Sequence, residues 1–172
     1  PPSRTDGEAS HPSPTMMSKT AAAIPQALRV AVANCTSLRR QWHNIQLLPA
    51  NYDVVVLTEV RLSSVGQRHV SGLLAAMDFE VAWGAPKTRK VFGHRLPPGG
   101  VAVFARNHLK PRLVPFEGEG QKSHYASGRL MHATVSLGTE RLHIVAAYGY
   151  PNSTSDKEQA LKNEQLMASA CD

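Results

Sequence analysis

The sequence predicts an α/β protein with mixed sheets, and three observations carry that expectation. Two Val-rich runs, LRVAVAN (28–34) and DVVVLTE (53–59), are separated by a helix-length stretch, an order that favours parallel neighbours. Later apolar runs are punctuated by glycine, the mark of antiparallel hairpins. Between the strands, apolar residues recur at helical spacing.

Taken in order, residues 1–26 read as a flexible leader rich in Pro, Ser and Thr, with too little apolar surface to offset ordering entropy. The folded part is expected over 27–172. After the first strand, Leu38, Trp42, Ile45 and Leu48 mark a helix that Pro49 stops. The second strand is followed by Val70, Leu73, Leu74 and Met77, a second helix, and then by the strand FEVAW (79–83). A basic loop, 87–95, holds Lys87, Arg89, Lys90 and Arg95 around Phe92. Gly99 and Gly100 open a strand at 101–105, where entry demands free backbone angles. Gly128 and Arg129 open a strand at 130–137, and the Gly138-Thr139 turn leads into another at 142–148. Ser155 and Glu158 have capping-box spacing, which starts a third helix over 156–168.

Composition narrows the function classes. The net charge of +6 favours polyanionic partners such as nucleic acid, phosphoinositides or an anionic surface. Cys35 and Cys171 are far apart and give neither a disulfide framework nor a zinc spacing, which favours a reducing, intracellular compartment, nuclear or cytoplasmic. No apolar stretch is long enough for a transmembrane segment. The eight histidines form no His-x-His or His-x-x-x-His pair. No phosphate-binding Gly-Lys loop or dinucleotide fingerprint is present.

The residues that carry chemistry lie at strand ends. Asn34 closes the first run and Glu59 the second, so parallel pairing would bring an amide and a carboxylate to one rim. Oxygen donors of that kind suit a hard divalent cation.

The pieces VANCTSLR, VVVLTEVR, PPGGVAVFAR, GRLMHATVSL and HIVAAYGYPN occur in that order. Together they resemble the endonuclease/exonuclease/phosphatase superfamily, the metal-dependent phosphoesterases that include pancreatic deoxyribonuclease. The resemblance covers roughly residues 28 to 170. It implies a four-layer α/β sandwich with two mixed β-sheets, and Mg²⁺ or Mn²⁺ held by Glu59 and Asn34. It also implies catalytic roles for Asn34 and for Tyr148, whose hydroxyl would donate to a phosphoryl oxygen. Arg129, Asn152, Lys87, Arg89 and Lys90 are the expected substrate contacts. Where some members carry an acidic residue this chain has Thr36, which points to a weaker or single-metal site.

The resemblance further implies an Asp-x-Asn element and a terminal Asp-His pair, and neither occurs here. The expectation is therefore a truncated fold, the N-terminal part of an enzyme domain, inactive in isolation, with further domains downstream. A nuclease acting on DNA is the favoured function, including the endonuclease module of a retroelement. The alternatives are a phosphoinositide or sphingolipid-type phosphoesterase, and a catalytically dead relic or binding module.

Overall fold

The structure, a computed structural model, describes residues 27–87, 99–151 and 154–171. The elements follow the apolar patterning. Strand β1 (Val30–Asn34) leads through α1 (Leu38–Ile45) to β2 (Val54–Thr58), then α2 (Ser64–Ala75) and β3 (Phe79–Trp83). Next come β4 (Val101–Arg106), a two-residue β5 (Arg112–Leu113), α3 (Glu119–Ala126), the hairpin β6 (Leu130–Leu137) and β7 (Glu140–Ala147), and α4 (Lys157–Cys171).

Two sheets form. One is mixed, in the order β1-β2-β4-β3, with β1 parallel to β2 and the other pairs antiparallel. The other, β5-β6-β7, is antiparallel throughout. Strand alternation divides the core into two layers. Val55, Leu57, Ala102 and Phe104 face α1 and α2, where they meet Leu38, Ile45, Val70 and Leu74. On the opposite side Val54, Val56, Val103 and Ala105 meet Met131, Ala133, Val135 and Ala146 of the second sheet. Helices α3 and α4 pack on that second sheet, through β6 and β7 respectively. The layers are therefore helix, sheet, sheet, helix.

Side-chain hydrogen bonds fix the register of helix on sheet. Trp83 Nε1 donates to Ser71 Oγ at 2.9 Å, and Gln67 Nε2 donates to the Gly84 carbonyl at 3.1 Å. At the base of the first sheet, the buried carboxylate of Asp53 accepts from the Arg29 amide and guanidinium, and from Arg106 Nε at 3.1 Å. Those bonds hold its pKa down at about 2, the Arg29 side chain being the largest cause.

Three local expectations change. Pro49 stands in a 3₁₀ turn, Leu48–Ala50, because α1 has already ended at Ile45. At the start of α4 the acceptor is Asp156, whose Oδ1 takes the amides of Glu158 and Gln159 at 2.9 and 3.3 Å. Asp156, which the sequence pattern did not single out, thus also serves this helix start. Helix α3 was not expected, since it buries no residue and shows no apolar stripe. Most of the basic loop, including Arg89 and Lys90, and also Asn152, lies outside the described residues.

Candidate functional site

A continuous run of main-chain hydrogen bonds builds one rim across both sheets. The Cys35 amide donates to the Thr58 carbonyl, and Val60 and Arg61 donate to Gly100 and Gly99, each at 3.1 Å. Gly100 donates to Gly128 at 2.7 Å, which carries the run from the first sheet to the second. The Tyr148 amide then donates to the Arg129 carbonyl, again at 2.7 Å. Asn34, Glu59, Arg129 and Tyr148 thus emerge at the same edge, although 114 positions separate the first from the last (148 minus 34).

The rim is also where the backbone is strained. Thr36, Glu59 and Arg61 have φ of 53°, 60° and 50°, three of the five non-glycine residues with positive φ among the described residues. L-residues reach that region at a cost of roughly 1–3 kcal/mol each, and such strain concentrates at functional sites. Gly128 stands here at φ 68°, and a Cβ on it would lie 2.5 Å from Lys87 Nζ. Gly100 adopts 93°, with a Cβ position 2.7 Å from Val60 Cγ2. Both glycines are therefore dictated by backbone angle and close approach; for Gly100 the sequence led us to expect the free backbone angle.

Each candidate residue has a distinct setting. Glu59 is buried, and its Oε1 accepts from Arg61 Nη2. Asn34 ends β1 exposed to solvent, paired in register with Thr58, and its Oδ1 accepts the Thr36 amide at 3.0 Å. That contact leaves the amide oxygen a second lone pair. Tyr148 is half-buried just beyond β7. Lys87 is buried, with its ammonium donating to the Ser127 carbonyl, and burial followed by the nearby Arg129 charge lowers its pKa. Arg129 is buried too. Its Nη1 donates to the carbonyls of Tyr148 and Gly149 at 3.2 and 2.6 Å, and its guanidinium stacks 3.9 Å from the centre of the Tyr150 ring. Arg129 and Lys87 thus brace the rim from inside.

Two contributors escaped the sequence reading. Arg61 pairs with Glu59, and the opposite charges two positions apart in VVVLTEVR are the signal that could have found it. Asn163 of α4 grips Tyr150 from both sides, accepting its amide at 2.6 Å and donating to its carbonyl at 3.1 Å. No local pattern announces that contact. Cys35 is buried, and burial pushes its thiol up to about 11, away from the nucleophilic thiolate form.

The donor set meets a hard cation halfway. No cluster of three or more His, Cys, Asp or Glu side chains occurs among the described residues. One carboxylate and one amide oxygen suit an ion such as Mg²⁺, which keeps several waters and draws further ligands from a phosphate.

Two facing sheets covered by helices, with polar side chains gathered on one shared rim, define the deoxyribonuclease-like sandwich. The chain carries that fold, the fold of the endonuclease/exonuclease/phosphatase superfamily. It is similar to the 3′-5′ exonuclease NExo from Neisseria meningitidis, at TM-score 0.62 and 23% identity, covering 83% of this chain and 49% of that one. It is also similar to an AP endonuclease from Archaeoglobus fulgidus, at TM-score 0.58 and 17% identity, covering 83% and 50%. The AP endonuclease LMAP from Leishmania major gives 0.54 and 18%, covering 84% and 46%. A second structure of the Neisseria protein, described as a 3′ phosphatase, holds a product DNA hairpin. The chain thus spans about half the length of these solved structures. No family model and no curated protein matches it by sequence.

Proposed function

We propose that this chain is the N-terminal part of a divalent-metal-dependent phosphodiester hydrolase, a nuclease that acts on DNA. The observation that carries the reading is the single rim on which Asn34, Glu59 and Tyr148 converge. In this reading Glu59 is the principal ligand of Mg²⁺ or Mn²⁺, and Asn34 is its neutral partner. A bound ion would neutralise charge developing on the phosphoryl oxygens and the leaving alkoxide. The Tyr148 hydroxyl would donate to a phosphoryl oxygen, a bond that strengthens as negative charge collects there. Arg129 and Asn163 hold the Tyr148–Tyr150 segment in place for that task. Arg89, Lys90 and Asn152 are the proposed contacts to the phosphate backbone, while the buried Lys87 serves them from behind by bracing the rim. In this reading the 172 residues bind substrate without turning it over, because the general base that the resemblance implies is not among them.

The substrate class is tested by fluorescence anisotropy with a labelled duplex. Binding should weaken linearly on a log–log plot as salt rises, because Lys and Arg contacts release condensed counterions. Replacing Arg89 and Lys90 together with Ala should reduce the slope by about 2, one unit for each lost phosphate contact. Preference for phosphoinositide vesicles over duplex at equal salt would overturn the nucleic-acid reading.

A further inference from the structure

We propose that Arg61 is an internal counter-ion that competes with the divalent cation for Glu59 and releases the carboxylate when a phosphate arrives. The proposal rests on the metal-binding reading of Glu59 given above.

Three observations converge on it. Arg61 Nη2 donates to Glu59 Oε1, while no bond to Oε2 forms among the described residues. One guanidinium therefore stands on the oxygen that an incoming cation would share. Glu59 belongs to no group of three or more His, Cys, Asp or Glu side chains among the described residues, and its carboxylate is paired with one arginine. A divalent ion approaching this pair is repelled by Arg61 as it is attracted by Glu59.

The second observation is an orphan donor. Arg61 Nε is buried and has no acceptor among the described residues. A buried N–H without a partner costs free energy, so the contact with Glu59 leaves the guanidinium incompletely satisfied. A phosphate presents two oxygens at the spacing of the guanidinium fork, and it would supply the missing acceptor. The Arg61 side chain is 30% exposed, against 9% for Glu59, so the arginine is the partner with room to move.

Third, Glu59 and Arg61 both occupy the left-handed region, at φ 60° and 50°. Their side chains leave a segment held in place by Gly99 and Gly100 rather than by its own preference. Metal and phosphate binding are then coupled through one side chain. Phosphate engages Arg61, Glu59 is freed, and the cation binds more tightly; by linkage the cation strengthens phosphate binding equally.

The test is Mn²⁺ binding, read by electron paramagnetic resonance of the free ion, with and without the thymidine dinucleotide TpT. It compares wild type with Arg61→Ala, Arg61→Lys and Glu59→Ala, each verified as folded by circular dichroism. Without dinucleotide, Arg61→Ala should bind Mn²⁺ roughly ten-fold more tightly than wild type. TpT should tighten Mn²⁺ binding by wild type and leave Arg61→Ala unchanged. Arg61→Lys keeps the charge but lacks the fork, so it should bind Mn²⁺ weakly and respond little to TpT. Should the alanine variant fail to fold, Arg61→Gln takes its place. Affinity in Arg61→Ala equal to or below wild type, with binding still dependent on Glu59, overturns the counter-ion role alone. Binding that survives Glu59→Ala, or none in any variant, removes the metal reading itself.

Discussion

Asp53 and Glu59 open and close the same short run, are equally buried at 7% exposure, and have opposite roles. Asp53 is surrounded by donors from Arg29 and Arg106, so its carboxylate serves the fold. Among the described residues Glu59 has the single side-chain partner Arg61, so it retains capacity for a ligand. The pH dependence of stability should expose the difference. The pKa of Asp53 is lowered from 3.8 to about 2 on folding. A depressed carboxylate contributes stability that is fully present above 3.8 and is lost as pH falls through about 2. Discounted for the solvent that reaches Arg29, that contribution is about 1 kcal/mol. Urea denaturation should find Asp53→Asn less stable than wild type by about this amount at pH 7. The gap should narrow as the pH falls from 4 towards 2. A gap that does not change with pH would show that the Arg29–Asp53–Arg106 cluster is not acting through charge.

At the scale of elements, glycines separate positions the fold requires from positions it tolerates. Gly128 has φ 68°, and a Cβ there would collide with Lys87 Nζ at 2.5 Å. Gly72, inside α2, would present a Cβ to open space. Gly128→Ala should lower stability by roughly 1–3 kcal/mol, while Gly72→Ala should raise it by about 0.5–1 kcal/mol. Thermal unfolding of the two variants checks both signs, and a stable Gly128→Ala would show that the rim backbone is not constrained as described. The longer strands, α1 and α2 are legible in sequence from their apolar runs and spacing, and α4, which buries only Leu166, from the capping spacing of Ser155 and Glu158. Helix α3 is not, because EGQKSHYA buries nothing and has no period to read. Strand β5 escapes for lack of length, having only two residues. The site is legible to the same extent. Asn34, Glu59 and Tyr148 stand at strand ends, where the chain must leave the sheet. Arg61, Asn163 and the inward turn of Arg129 depend on a backbone path and on neighbours distant in sequence, which no local pattern encodes.

At the scale of the molecule, the rim exists only because two sheets are stitched together. The bond from Gly100 to Gly128 joins the carboxylate of the first sheet to the tyrosine of the second. The opposite end of the first sheet is closed by Asp53 and its arginines, so structural and chemical charge are kept at separate ends. Along the open side, β1 and β7 are the edge strands, and Val30, Val32 and Val145 are exposed beside a groove of about 320 Å³. The overall charge of +6 sets this architecture against polyanions. In the proposed function Glu59 organises a metal-dependent phosphodiesterase. The most direct measurement is nicking of supercoiled plasmid by the protein expressed from its whole natural coding sequence. The assay compares Mg²⁺ with EDTA, for wild type and a folded Glu59→Ala. Nicking is expected in Mg²⁺, none in EDTA, and a loss of roughly 100-fold or more in the variant. Nicking that Glu59→Ala leaves intact, or that persists in EDTA, would contradict that function.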